Sequence, residues 1–205
     1  MKNLEYTKPE FWDNLYTTND IGWDLSCSSP PFRDLIPSLN LENKKVFVPG
    51  CGNGYDVIEL EKNGAEVWAF DFAKKPLENL KQHPEFNKNK IHLILTDIFD
   101  ISDNLHNKFD YVFEYTCYCA IDPSQRKKYR DLIHQILLNG GKFISLFFPI
   151  LKPETDDGPP FGVNLKNTLK MFEQKFEIMQ INKSINSHLK RRGNEILVVM
   201  KKKWI

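Results

Sequence analysis

The sequence predicts an α/β fold, a mostly parallel sheet with helices on both faces and a nucleoside site at the carboxyl ends of its strands. Three observations predict it. Residues 46–56 read V-F-V-P-G-C-G-N-G-Y-D, a short apolar strand that runs into glycines at alternate positions, Gly50, Gly52 and Gly54. A helix-length stretch follows, and a second apolar strand, E-V-W-A-F-D, stops on the acid Asp71. A third, I-H-L-I-L-T-D, stops on Asp97. The glycines let the chain turn tightly and bring backbone N–H groups against a ligand. The helix N-terminus adds positive partial charge, and the acid ending the second strand can accept both ribose hydroxyls. Strand, turn, helix, strand and acid arrive in the order such a site needs, which a lone glycine pattern would not establish.

The bulk properties limit the alternatives. A chain of 205 residues, 41% hydrophobic and 27% charged, is expected to form one domain over residues 1–205. Lys+Arg 28 against Asp+Glu 27 leaves a net charge of +1, so no global field recruits nucleic acid or an anionic membrane. The basic tail at residues 201–203 reads as a solvated end. No apolar run is long enough to span a bilayer, and the N-terminal M-K-N-L-E-Y-T-K-P-E has no apolar signal core, so the expected location is the cytoplasm. Four cysteines, Cys27, Cys51, Cys117 and Cys119, do not make a disulfide scaffold, and the five histidines are scattered. Reduced, buried thiols and no metal are expected.

In chain order, Thr7-Lys8-Pro9-Glu10 reads as a capping box opening a short helix with Phe11, Trp12, Leu15 and Tyr16. Phe11 and Leu15 are read as core. Trp12, Tyr16 and Trp23 precede the sheet in a segment that the sheet does not need, so residues 1–43 are expected to form a helical lid whose rings cover the site. Phe32, Leu35, Ile36 and Leu39 suggest a second short helix. After the first strand, Asn53 is the expected N-cap and Asn63-Gly64 the stop. Asp97 with Ile98 and Phe99 suits an adenine pocket, the carboxylate taking the exocyclic amine between apolar walls. A fourth strand, F-D-Y-V-F-E-Y, ends on Glu114 and Tyr115, where such sheets place ligand-facing groups. Asp122-Pro123 then opens a helix in which Tyr129, Leu132, Ile133, Ile136 and Leu137 keep the helical period, stopped by Asn139-Gly140-Gly141. The fifth strand runs into an irregular stretch over residues 149–163, a candidate active-site lid. A helix over 164–172 and two strands, 176–182 and 195–200, finish the chain as an antiparallel pair.

With F-W-D-N-L-Y and G-W-D before the sheet, V-P-G-C-G-N-G-Y-D at the first turn, C-A-I-D-P-S-Q-R after strand four and G-P-P-F after strand five, the chain resembles the thiopurine S-methyltransferase family. These belong to the Rossmann-like class I methyltransferases, with seven strands and an antiparallel terminal strand. The P-G-C-G turn, F-D-Y-V-F and G-P-P-F look closest to the plant thiol and halide methyltransferase branch. The resemblance implies S-adenosylmethionine as cofactor, held by Trp12, Tyr16 and Trp23, by Gly50 and Gly52 at the first turn, by Asp71 and Phe72 after strand two, and by Asp97, Ile98 and Tyr115. Trp23, Phe32 and Phe161 would shape the substrate pocket. Tyr16 stands where the halide branch carries tryptophan, Phe161 where it typically has tyrosine, and Tyr115 where thiopurine enzymes tend to carry arginine.

The implied reaction is in-line methyl transfer to a small soft nucleophile, a thiol, thiocyanate, bisulfide or halide. Alternatives are an N- or O-methyltransferase acting on another small molecule, and a non-catalytic cofactor-binding module. Amine and nucleic-acid base methylation fit less well, because Glu114-Tyr115-Thr116-Cys117 stands where an Asn/Asp-Pro-Pro-aromatic turn would be needed. A nicotinamide dehydrogenase is disfavoured because Tyr55 occupies the third glycine position. Glu114 and Asp24 are both possible proton acceptors. Nothing in the sequence sets the oligomeric state, for which a monomer is favoured.

Overall fold

Seven apolar runs become seven strands of a single sheet in the computed structural model, which describes residues 5–155 and 157–204. The first four residues of the expected lid, and Asp156 of the stretch after strand five, lie outside the described residues. The strands are β1 (Lys45–Pro49), β2 (Glu66–Asp71), β3 (Ile91–Leu95), β4 (Phe109–Tyr115), β5 (Leu137–Phe147), β6 (Phe176–Asn182) and β7 (Ile196–Lys202). Their order is β3-β2-β1-β4-β5-β7-β6. The first five are parallel, and β7 slots antiparallel between β5 and β6. The chain builds outward from β1 to β3, then crosses back to start again at β4. That switch point opens a crevice above the carboxyl ends of β1 and β4, where open α/β sheets bind ligands.

Alternation along the strands divides the core in two. Val46 and Val48 point to one face and pack with Phe32, Val57, Leu60 and Leu80, from α2 (Pro30–Leu35), α3 (Tyr55–Lys62) and α4 (Lys74–Lys81). Phe47 points to the other, with Tyr129, Ile133 and Phe172 from α5 (Arg126–Ile136) and α6 (Leu165–Phe172). The N-terminal helix α1 (Pro9–Thr17) buries no residue, because it lies over the crevice rather than on the sheet.

Several local expectations hold and others are corrected. Asp122 accepts the Ser124 N–H and opens a 3-10 turn at Pro123, and Asn164 accepts the Asn167 N–H at the start of α6. The Thr7-Lys8-Pro9-Glu10 box does not form. A 3-10 turn at Glu5–Thr7 moves the cap position to Lys8, leaving Pro9 first in α1. Nor does Asn53 cap α3; the cap position falls on Gly54 at φ 76°, and the Asn53 amide is used elsewhere. The glycine pair Gly140-Gly141 lies inside β5 instead of ending α5. Leu137 is already extended and pairs with Phe109, and a register shift between Phe109 and Tyr111 absorbs the irregularity.

The stretch after β5 is tied down along its length. Ile150 N–H bonds Asn194 O, Phe161 N–H bonds Cys119 O, and the buried Arg126 guanidinium holds Glu154 Oε1 and Gly162 O. Among its described residues, Pro159 and Pro160 alone reach the crevice.

Candidate active site

The crevice is a cavity of about 620 Å³, and the ten residues expected to touch the cofactor all line it. Its floor begins at the turn after β1. Gly50 and Gly52 have φ of +55° and +54°, a left-handed backbone that side chains rarely adopt. A Cβ on Gly50 would stand 3.1 Å from Cys117 Sγ, and one on Gly52 would stand 2.7 Å from the Tyr16 hydroxyl. The cradle is thus kept open by the lack of side chains.

Asp71 sits at the end of β2, only 7% exposed. Its Oδ2 accepts the Gly52 N–H and its Oδ1 the Ala73 N–H, each at 3.0 Å. Burial pushes its pKa up to about 6, and these N–H groups oppose the shift. Phe72 lines the cavity beside it. Asp97 Oδ1 accepts the Phe99 N–H at 2.8 Å, which starts a 3-10 turn and brings Ile98 and Phe99 to the cavity wall.

Over this floor lie the N-terminal rings. Trp23 meets Trp12 edge-on at 5.3 Å and Tyr16 at 5.7 Å, and its indole N–H donates to the Tyr16 hydroxyl at 3.3 Å. Trp12 donates its own to Tyr6 O at 2.7 Å. Burial raises the Tyr16 phenol well above its usual range, so it stays neutral. Phe11 and Leu15, expected in the core, are half-buried and line the same cavity, since α1 has no sheet beneath it.

At the end of β4, Tyr115 donates its hydroxyl to Glu195 Oε2 at 2.6 Å and accepts from Arg191 Nε at 3.1 Å. Arg191 stacks on Phe148 at 4.0 Å and donates from Nη2 to Trp23 O at 2.7 Å. Thr116 follows at φ 66°, strained for a β-branched residue, and turns the chain so that Cys117 and Cys119 face the cavity.

Phe32 and Phe161 do not line the cavity, against expectation. Each is 1% exposed. Phe32 packs edge-on behind Tyr115 at 6.2 Å. The Phe161 amide is drawn to Cys119 O at 2.7 Å, which turns its ring inward against Tyr6 at 5.4 Å. Glu114 is buried below the floor, accepting from Ser145 Oγ at 2.5 Å and Tyr118 N–H at 2.8 Å, and burial pushes it up to about 7. Asp24 does line the cavity, where Asn53 Nδ2 donates to it at 2.6 Å.

Sequence reasoning missed Tyr6 and Arg191, which lie outside any periodic pattern. It also missed that Cys27, Cys51, Cys117 and Cys119, free in the structure, all line this one cavity. Among the described residues, no group of three metal-ligating side chains could hold a metal ion, and no helix is long and apolar enough to cross a membrane.

A glycine cradle, a buried carboxylate one strand over and an aromatic cover fit a nucleoside that carries a cationic sulfur. The fold and site together define a class I S-adenosylmethionine-dependent methyltransferase. Residues 7–205 match the thiopurine S-methyltransferase model, and the chain belongs to that family. It is 30% identical over 161 residues to a probable thiol methyltransferase 2 of Arabidopsis thaliana, covering 78% of this chain and 70% of the relative. Thiocyanate methyltransferase 1 of Brassica oleracea is 27% identical over 194 residues, 93% and 84% of the two chains. Among solved structures, the Burkholderia thailandensis 1,6-didemethyltoxoflavin-N1-methyltransferase with bound S-adenosylhomocysteine superposes with a TM-score of 0.75 at 16% identity, covering 96% of this chain and 87% of that one. The N-methyltransferase NodS of Bradyrhizobium japonicum gives 0.73 at 14%, covering 96% and 99%. These two likenesses show the fold.

Proposed function

We propose that the enzyme methylates a small soft nucleophile, a thiol, thiocyanate, bisulfide or halide. One observation carries this reading. Five aspartates line the cavity among the described residues, and each already holds protein donors. Asp71 takes Gly52 and Ala73, Asp97 takes Phe99, and Asp24 takes Asn53 and Ser26. Asp56 takes Ser28 and Ser29, and Asp122 takes Ser124 and Tyr6. With Asp71 and Asp97 assigned to the cofactor, Asp24, Asp56 and Asp122 held by protein donors, and Glu114 sealed below the floor, the site suits an acceptor that arrives deprotonated.

S-adenosylmethionine supplies a methyl group on a sulfonium, already an activated leaving group. The protein's share is alignment and exclusion of water. Asp71 would hold the ribose hydroxyls and Asp97 the adenine amine, and the Gly50 and Gly52 backbone would leave room for the chain joined to the sulfur. Trp12, Tyr16 and Trp23 would stabilise the cationic sulfur, each well-placed ring contributing on the order of 0.5–2 kcal/mol. Of the expected lid, α1 and Trp23 would cover the cavity within a single domain and keep water from the nucleophile, while α2 packs into the core through Phe32. Phe32 and Phe161 shape the acceptor side from behind, through Tyr115 and Tyr6. The plant relatives' names as thiol and thiocyanate methyltransferases support the same acceptor class.

Headspace gas chromatography over purified protein with S-adenosylmethionine and, separately, iodide, thiocyanate and bisulfide tests this, with aryl thiols assayed alongside. Methyl iodide, methyl thiocyanate, methanethiol or a methylated aryl thiol is expected. Silence across the panel from a protein that binds S-adenosylhomocysteine would refute it.

A further inference from the structure

The helix carrying Trp12 and Tyr16 covers the cavity with no fully buried residue of its own, its rings meeting Trp23 edge-on. A polar contact ties it to the body of the protein. Asp13 Oδ1 accepts the Lys75 N–H at 2.7 Å, across 62 residues of chain. Lys75 lies in the first turn of α4, whose leading N–H groups have no partner within the helix. The residue at its cap position, Ala73, has no side-chain oxygen to offer them. Two carboxylates fill the gap from different elements: Asp71 takes the Ala73 N–H at 3.0 Å and Asp13 takes that of Lys75.

From this arrangement we propose that Asp13 is a positioning residue of the cofactor site, clasping the aromatic helix to the same turn that orients the ribose carboxylate. The geometry of a helix gives the clasp its effect. Trp12 and Tyr16 are four residues apart and share a face, while Asp13 lies about 100° round from Trp12. Anchoring Asp13 to α4, against which α1 packs, therefore fixes the rotation that turns both rings to the cavity. The clasp links two parts of the site that are remote in sequence, so loosening α1 also disturbs the turn beside Asp71. It rests on the reading of this cavity as the S-adenosylmethionine site.

Asp13→Ala and Asp13→Asn test it, because the asparagine side-chain oxygen accepts the same N–H and the alanine cannot. In the ligand-free protein, hydrogen–deuterium exchange of peptides spanning 9–17 and 74–81 is expected to speed up in Asp13→Ala and stay near wild type in Asp13→Asn. Calorimetry with S-adenosylhomocysteine should show binding about 3- to 10-fold weaker in Asp13→Ala, as the competent lid position becomes less populated, and restored in Asp13→Asn. Should Asp13→Ala fail to fold, Asp13→Leu, which has no acceptor but fills the space, is compared with Asp13→Asn in the same way. Equal exchange and equal affinity with and without the acceptor would overturn the clasp alone. No binding of S-adenosylhomocysteine by the wild-type protein would instead overturn the reading of the site.

Discussion

Arg191 and Trp23 stand 168 residues apart and are joined by one hydrogen bond, from Nη2 of the arginine to the tryptophan carbonyl at 2.7 Å. The bond ties the cover of the cavity to the far end of the chain. Arg191 is 7% exposed and spends its planar fork on three partners at once, the Trp23 carbonyl, the Tyr115 hydroxyl and the face of Phe148. A lysine can reach one of these but not all. Arg191→Lys is expected to lower kcat/KM about 10-fold, the size of one lost hydrogen bond to a charged group, with circular dichroism unchanged. Steady-state kinetics with the preferred acceptor would read this, and wild-type values would show that Trp23 is positioned without the arginine.

Gly52 faces Tyr16 with no room between them. A Cβ there would stand 2.7 Å from the phenol oxygen, and φ of +54° is unfavourable for any side chain. Gly52→Ala must push Tyr16 away or shift the turn that donates to Asp71. Calorimetry should then show S-adenosylhomocysteine binding weakened by about 10-fold or more, for about 1–2 kcal/mol of backbone strain plus the displaced ring. Unaltered binding would mean that the cofactor does not lie along this turn.

The floor of the site was legible in the sequence because its parts are local. Glycines at alternate positions need no distant partner to turn a chain, and an acid ending a buried strand has only the carboxyl edge to face. Asp71 and Asp97 are accordingly where the strand pattern puts them. The cover was legible in its rings but not in its fastenings. Arg191, Asp13 and Tyr6 make hydrogen bonds to residues 168, 62 and 116 positions away, and no period in the chain encodes such pairs. Phe161 misled for the same reason: an aromatic in a loop near the site looks like a lining residue, while its ring direction is set by a backbone bond to Cys119. The end of α5 was misplaced because Leu137 satisfies the helical period and a strand partner equally well, and pairing with Phe109 prevails.

Asp71 should make cofactor binding depend on pH. Its pKa stands at about 6, above the ordinary 3.8, and the charged form is the one that can accept both ribose hydroxyls. Affinity for S-adenosylhomocysteine is expected to fall as pH is lowered from 7 to 5. Asp71→Ala should bind more weakly by roughly 1–3 kcal/mol at neutral pH and lose that slope. Titration calorimetry at several pH values checks both, and a slope that persists in Asp71→Ala would assign it to another group.

Glu114 bears on stability in the opposite sense from a salt-bridged acid. Burial raises it from 4.5 to about 7, with Ser145 and the Tyr118 and Cys117 amides opposing the shift and Arg126 lowering it further. Between those two pH values the folded protein holds a proton that the unfolded chain has released. Its contribution to stability is therefore greatest below about pH 4.5 and declines as pH rises toward 7. Glu114→Gln cannot ionise, so that part of the decline should vanish. The melting temperature of the variant relative to wild type is expected to improve as pH goes from 5 to 8, even if the amide fits its donors less well and lowers the whole curve. Because Glu114 lies beneath the floor and not in the cavity, the affinity for S-adenosylhomocysteine should change far less than in Asp71→Ala. A constant difference in melting temperature across that range would mean that Glu114 does not change its charge there on folding.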